Sequence, residues 1–156
     1  MAARSAGLCL WRRNDDGVVQ ILIVHPGGPY WAKKDDGAWS LPKGEYDPDT
    51  EAGPDAARRE FHEETGVRAP DTDLAPLGDT RLKSGKVVHA WAIQGDLDAD
   101  AIQSNTFEME WPPRSGRRQS FPEVDRAMWA DAPTAIRKLN PAQAVFVERL
   151  GALVDE

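Results

Sequence analysis

The fold class predicted by the sequence is an α/β sandwich rather than a helical bundle, and three observations carry that reading. Short apolar or alternating segments recur along the chain. Gly, Pro, Asn and Asp turn signals separate them, and helical spacing is confined to two regions, one ending at Gly66 and one near the C-terminus.

Residues 5–11 and 18–25 read as strands joined by Asn14-Asp15-Asp16-Gly17, a hairpin-like turn with glycine in the permissive position. Residues 26–37 read as a loop. Residues 39–41 form a short strand whose end runs into a tight loop at Pro42-Lys43-Gly44. A helix is predicted over 55–65, because Pro54 suits a first helical turn and Gly66 can end the helix in a left-handed conformation. Strands at 77–82 and 86–93 pair through Ser84-Gly85. A further strand at 105–111 is stopped by Pro112 and Pro113, and 114–119 is a polar loop. Residues 128–130 make a final strand, and 134–139 and 141–150 are helical pieces.

Length and composition bound what such a fold does. A chain of 156 residues with 40% hydrophobic content suits one domain, 1–156, able to bury a continuous core. No internal repeat is visible. The formal charge of −7 disfavours broad electrostatic binding to nucleic acid or to an anionic membrane. The lone Cys9 cannot form an internal disulfide and lies in an apolar run, as a buried strand residue does. With no long apolar run and no signal-peptide pattern, a cytoplasmic location is the default expectation.

The chemistry concentrates in Arg59-Glu60-Phe61-His62-Glu63-Glu64-Thr65-Gly66-Val67, with Glu51 eight residues before the arginine. On a helix, residues three and four apart are neighbours, so Glu60, Glu63 and Glu64 share one face. Carboxylates so crowded raise one another's pKa and destabilise the helix unless a cation neutralises them. Hard oxygen donors suit magnesium or manganese, whereas one cysteine-free segment with a single histidine does not suit zinc. A calcium-loop reading of Asp47, Asp49 and Glu51 fails, because Ala52 and Arg58 stand where that loop needs glycine and a bidentate glutamate.

These residues resemble the signature box of the Nudix hydrolases: Gly, five residues, Glu, seven residues, Arg-Glu, an apolar residue, any residue, Glu-Glu, any residue, Gly, and an aliphatic residue. Glu51, Arg59, Glu60, Phe61, Glu63, Glu64, Gly66 and Val67 fill their positions; six residues rather than five separate Gly44 from Glu51. The resemblance implies an α/β/α sandwich with a mixed, curved sheet, and hydrolysis of a phosphoanhydride in a nucleoside diphosphate linked to another group. It implies Mg²⁺ or Mn²⁺ held by Glu60, Glu63 and Glu64 together with a backbone carbonyl at Lys43, or at Gly44 if the register is counted back from the helix. Arg59 and Glu51 would then be an orienting ion pair, and His62 a surface residue.

In such enzymes the general base is a box glutamate, here Glu60, or an acid on a later loop, where Glu123 is the leading candidate and Glu108 and Glu110 are alternates. The Lys43 side chain is a candidate phosphate contact, as are Arg114, Arg117 and Arg118. Tyr30, Trp31 and Trp91 are candidate nucleobase stackers, since aromatic faces hold bases in a sequence-tolerant way. The Pro42-Lys43-Gly44 segment resembles members that cleave dinucleoside polyphosphates such as diadenosine tetraphosphate. Hydrolysis of nucleoside triphosphates or of diphosphoinositol polyphosphates, and a non-catalytic nucleotide-binding module, are the alternatives.

Overall fold

The computed structural model describes residues 3–154, so both ends of the expected 1–156 domain lie outside the described residues. In chain order the elements are β1 (Arg4–Arg13), β2 (Val19–Pro26), β3 (Lys43–Glu45), α1 (Gly53–Thr65), β4 (Ala75–Arg81), β5 (Val87–Gln94), β6 (Thr106–Glu110), β7 (Arg118–Pro122), β8 (Val124–Asp131), α2 (Ala132–Lys138) and α3 (Ala144–Val154). Five strands follow the order β4-β5-β1-β2-β8, with β3 added against β1; β6 and β7 form a separate two-stranded ribbon.

β1 is the central strand. It runs parallel to β5 from Arg4↔Val87 to Trp11↔Gln94, which takes up one edge. The other edge is shared: β2 pairs antiparallel with residues 11–13 and β3 with residues 5–7. The sheet is therefore mixed, as the α/β reading requires.

Alternation along the strands builds a core on each face. Ala6, Leu8 and Leu10 of β1, with Leu22 and Ile93, pack under Ala56, Ala57 and Phe61 of α1. Cys9, Ile21, Ile23, Val88 and Ala90 face the opposite way, against Leu139 and against Phe146, Val147 and Leu150 of α3. Each large apolar side chain so buried contributes about 1.5–3 kcal/mol. An exposed ion pair such as Arg12–Asp96, 2.8 Å long, contributes about 0–1 kcal/mol, so the two apolar layers hold the fold. Burial also pushes the Cys9 thiol up to about 12, which makes it an inert core residue. No helix among the described residues is long and apolar enough to cross a membrane.

Three segments depart from the sequence expectation. The strand at 39–41 reduces to two isolated bridges, Val24↔Ser40 and Trp39↔Leu139, and the ladder with β1 begins at Lys43, which sequence reasoning placed in a loop. Pro42 has no N–H to donate to a ladder; its carbonyl instead accepts from Leu8 N–H at 3.0 Å. The polar loop at 114–119 ends early, because Arg118 and Gln119 pair with Glu110 and Met109 in β7. β7, reading RQSFP on an exposed ribbon, carries polar residues on both faces and so shows no apolar alternation. The last strand extends well beyond 128–130, since it pairs along β2 from Asp131 to Val124.

Candidate active site

The box helix is placed by its small and apolar residues. Pro54 sits in its first turn, and Gly66, at φ 76°, closes it with an N–H that donates to His62 O at 2.8 Å. Ala56 and Ala57 let α1 approach β1 closely, and Phe61 fills the space beside them. That packing carries Glu60 inward to 7% exposure. β3 runs alongside, with Gly44 opposite Ala6. A Cβ at position 44 would overlap the Glu60 carboxylate as it stands, so glycine here lets that carboxylate lie directly against β3. The extra residue before Glu51 is absorbed in a turn around Asp47, whose carbonyl accepts from Thr50 and Glu51 N–H.

Arg59 organises the acids. Its Nε and Nη2 donate to the two Glu51 oxygens, both at 2.9 Å, and its Nη1 donates to Glu60 Oε1 at 2.8 Å and to Glu63 at 3.3 Å. Fork-to-carboxylate bonding fixes the guanidinium plane and keeps Arg59 charged. Glu64 turns the other way, and its Oε1 accepts from Lys43 N–H at 3.0 Å. Part of the counter-charge that the sequence demands is thus supplied from within the helix. Among the described residues no three His, Cys, Asp or Glu side chains stand in metal-ligating geometry, and Glu60 and Glu63 would have to turn from Arg59 to share a cation.

Glu60, Glu63 and Glu64 nevertheless open into one cavity of about 410 Å³, which Glu123, Lys43 and Lys86 also line. A smaller one of about 110 Å³, lined also by Val24 and Ser40, shares Lys43, Glu64 and Glu123. A larger cavity of about 650 Å³ lies elsewhere, walled by Trp11, Ala92 and Leu153; with Asp73 its one charged side chain, it has no comparable chemistry.

Crowding and burial act on the titration of these groups. Burial pushes Glu64 up to about 8 from an ordinary 4.5, against the opposing pull of the Lys43 N–H and ammonium. Burial also raises Glu60, and it raises Glu123 together with repulsion from Glu63. The Lys43 ammonium is held below its usual range by burial. A carboxyl whose pKa is raised on folding keeps its proton in the native state over an interval where the unfolded chain has released it. Stability then falls with rising pH across that interval. The cation-free protein is expected to melt at progressively lower temperature between pH 4.5 and about 8. Lys43 acts in the opposite sense as the pH rises from its own lowered value to 10.5. Thermal melts across the interval check this; a melting temperature that rises steadily with pH there would contradict it.

Glu123 reaches the cavity through a relay of backbone bonds. Asn105 N–H donates to Glu63 O, Glu123 N–H to Asn105 O, and Gly27 N–H to Glu123 O, at 2.8, 2.8 and 2.9 Å. Buried His25 braces the same corner, with Nε2 at 2.6 Å from the Lys34 carbonyl and Nδ1 at 2.8 Å from Asp125. The alternates are not brought in: Glu108 and Glu110 are exposed on β6, where Glu108 faces Arg118 at 3.8 Å.

The other candidates divide by burial. Trp91 is only 7% exposed, under α1, with one ring face stacked on His89 at 4.2 Å. It is a core residue and presents no free face for a base. Tyr30 and Trp31 are 60% and 40% exposed, and Tyr30 meets Trp111 of the ribbon edge-on at 5.4 Å. Arg114, Arg117 and Arg118 are exposed at the far end of that ribbon, and His62 is exposed on α1. Sequence reasoning missed Ser5, Glu45 and Lys86, which line the 410 Å³ cavity. Only the pairing of β1 with β3 and β5 brings them there.

Comparison with known proteins agrees with this architecture. The family model described as the NUDIX domain matches residues 1–150. The structure of an Ap4A hydrolase from C. elegans superposes with a TM-score of 0.68 at 19% identity, over 97% of this chain and 98% of that one. The NUDIX domain of Shewanella oneidensis NrtR, solved with ADP ribose, gives 0.66 at 15% identity, over 99% and 89%. A MutT protein from Methanosarcina mazei gives 0.60 at 19% identity, over 99% and 96%. In sequence, an octanoyltransferase from Myxococcus xanthus is 37% identical over 84 residues, 54% of this chain, and the match spans about one fifth, 20%, of that protein's length. With its box residues on α1 and β3, and with the family model covering nearly the whole sequence, the chain belongs to the Nudix hydrolase family.

Proposed function

We propose that this protein is a divalent-cation-dependent pyrophosphohydrolase that cleaves a phosphoanhydride in nucleotide substrates, with dinucleoside polyphosphates as the leading substrate class. The observation that carries this reading is the convergence of five carboxylates and two lysines on one cavity: Glu45, Glu60, Glu63, Glu64, Glu123, Lys43 and Lys86. A non-catalytic module would usually lose the box glutamates, whereas Glu60, Glu63 and Glu64 are all present. The names of two structural neighbours, one an Ap4A hydrolase and one complexed with ADP ribose, agree with a nucleotide ligand.

The donor set fits a hard cation. All donors are oxygens, and the absence of a Cβ at Gly44 leaves the Glu60 carboxylate close to the β3 backbone. Glu60, Glu63 and Glu64, with a backbone carbonyl of Lys43 or Gly44, would hold Mg²⁺ or Mn²⁺, which supplies charge neutralisation and activation of water. Arg59, locked onto Glu51, holds Glu60 and Glu63 beside the site in the cation-free state, from which they would turn to the cation. Glu123 takes the proton from the attacking water, a role that suits a carboxyl raised above its ordinary range. The Lys43 ammonium neutralises a phosphate oxygen. Exposed Tyr30 and Trp31 provide the nucleobase contact.

The test is a panel of nucleoside triphosphates, dinucleoside polyphosphates, ADP-ribose and diphosphoinositol polyphosphates, with products separated by chromatography. Hydrolysis is expected with Mg²⁺ or Mn²⁺, to vanish with a chelator, and to return when the ion is restored. Full activity in chelator would sink the cation-dependent mechanism.

A further inference from the structure

Ser5 is 1% exposed, and its hydroxyl is the one buried side-chain polar atom among the described residues that lacks a hydrogen-bond partner. Leaving a buried hydroxyl unpaired costs stability, so an orphan of this kind calls for an explanation. It does not lie in a remote part of the core. Ser5 lines the same 410 Å³ cavity as the box glutamates.

Strand geometry shows what surrounds it. Side chains alternate between the faces of a sheet, and directly paired residues point the same way. Ser5 pairs with Glu45 of β3 and with Val88 of β5, and Gly7 pairs with Lys43. Ser5, Lys43, Glu45 and Val88 therefore share one face, and Lys86, two residues before Val88, joins them. Ala6 and Gly44 point to the other face, toward α1. Lys86 Nζ lies 3.1 Å from Glu45 Oε1. Ser5 thus sits on β1 between β3, which carries Lys43, and β5, which Lys86 immediately precedes.

The charge pattern selects the ligand. On this face Glu45 offsets Lys86 and Lys43 is left as the surplus positive charge, so an anionic acceptor is favoured over a cation there. A hydroxyl supplies one directed donor. We infer that the Ser5 hydroxyl donates to a non-bridging oxygen of the substrate's phosphate chain, between Lys43 and Lys86. This role rests on the pyrophosphohydrolase reading of the site and adds to it a substrate contact on β1, on the sheet face that looks away from the box helix.

The experiment uses the full chain with Mg²⁺ and compares wild type with Ser5→Ala. Three quantities are read: the melting temperature without substrate, kcat/KM for the best nucleotide, and the Kd of inorganic pyrophosphate by calorimetry. Removing an unpaired hydroxyl should leave the melting temperature unchanged or raise it. Loss of one hydrogen bond to a charged oxygen should weaken pyrophosphate binding and lower kcat/KM, each by about 10 to 100-fold. Unaltered pyrophosphate affinity in Ser5→Ala overturns the inference, whatever happens to turnover. So does a fall in melting temperature with the loss of binding, which makes Ser5 a packing residue, and so does a wild type that binds no pyrophosphate. Binding is read without turnover. A wild type that binds pyrophosphate but hydrolyses no nucleotide therefore defeats the pyrophosphohydrolase reading alone, and an active enzyme indifferent to Ser5→Ala defeats the Ser5 contact alone.

Discussion

Replacing Glu64 by Gln is expected to lower turnover by about 10²-fold or more while the cation-free protein melts at the same or a higher temperature. The two effects follow from one geometry. Glu64 Oε1 accepts the Lys43 N–H at 3.0 Å, and a glutamine oxygen in the same place keeps that bond. What disappears is a buried negative charge whose titration burial has pushed up to about 8. Stability should then gain most above that pH, and its decline between pH 4.5 and about 8 should become shallower. Catalysis loses because the amide cannot supply the ligand charge that the proposed cation needs. A variant that turns over normally would show that Glu64 does no more than cap the Lys43 backbone. One that melts well below wild type at high pH would show that the Lys43–Glu64 attraction outweighs the burial of the charge.

Glu123→Gln is expected to lower kcat by about 10² to 10⁴-fold with little change in substrate binding, because a general base acts in the transition state. The relay from Glu63 through Asn105 to the Glu123 backbone uses main-chain groups only, so the substitution leaves the loop in place. Burial and the neighbouring Glu63 raise the Glu123 carboxyl above its ordinary 4.5. The acidic limb of the pH–rate profile, where a base loses activity by protonation, should accordingly lie above that value in wild type and move or vanish in the variant. A rise in KM at constant kcat would instead make Glu123 a substrate contact. If neither constant changed, the base would be sought at Glu60, since Glu108 and Glu110 are exposed on β6 and do not line the cavity.

The catalytic half of the site was legible because its information is local. Helix periodicity brings Glu60, Glu63 and Glu64 together whatever the rest of the chain does, and Pro54 and Gly66 mark the ends of that helix within one turn at each side. The same locality explains the α/β assignment, the β1–β2 turn and the buried Cys9. Where local signal is weak, the reading slipped. β7 carries Arg, Gln and Ser on an exposed ribbon, so no apolar alternation marks it as a strand. Lys43 and Gly44 read as a loop because Pro42 precedes them, yet three residues suffice for a ladder when β1 offers a free edge.

Burial and long-range pairing belong to the tertiary structure alone. Trp91 reads as a stacking residue in one dimension, and packing under α1 against His89 makes it core. Ser5 and Lys86 are unremarkable in the sequence, and only the parallel register of β1 with β5 brings them to the cavity of the box glutamates. The sequence by itself determined the family, the fold class and the acidic helix, because spacing along one helix is a property of the chain. The tertiary structure decided which distant side chains surround that helix and which of them are dry, because side chains meet across a sheet by register and lose water only when two layers close over them.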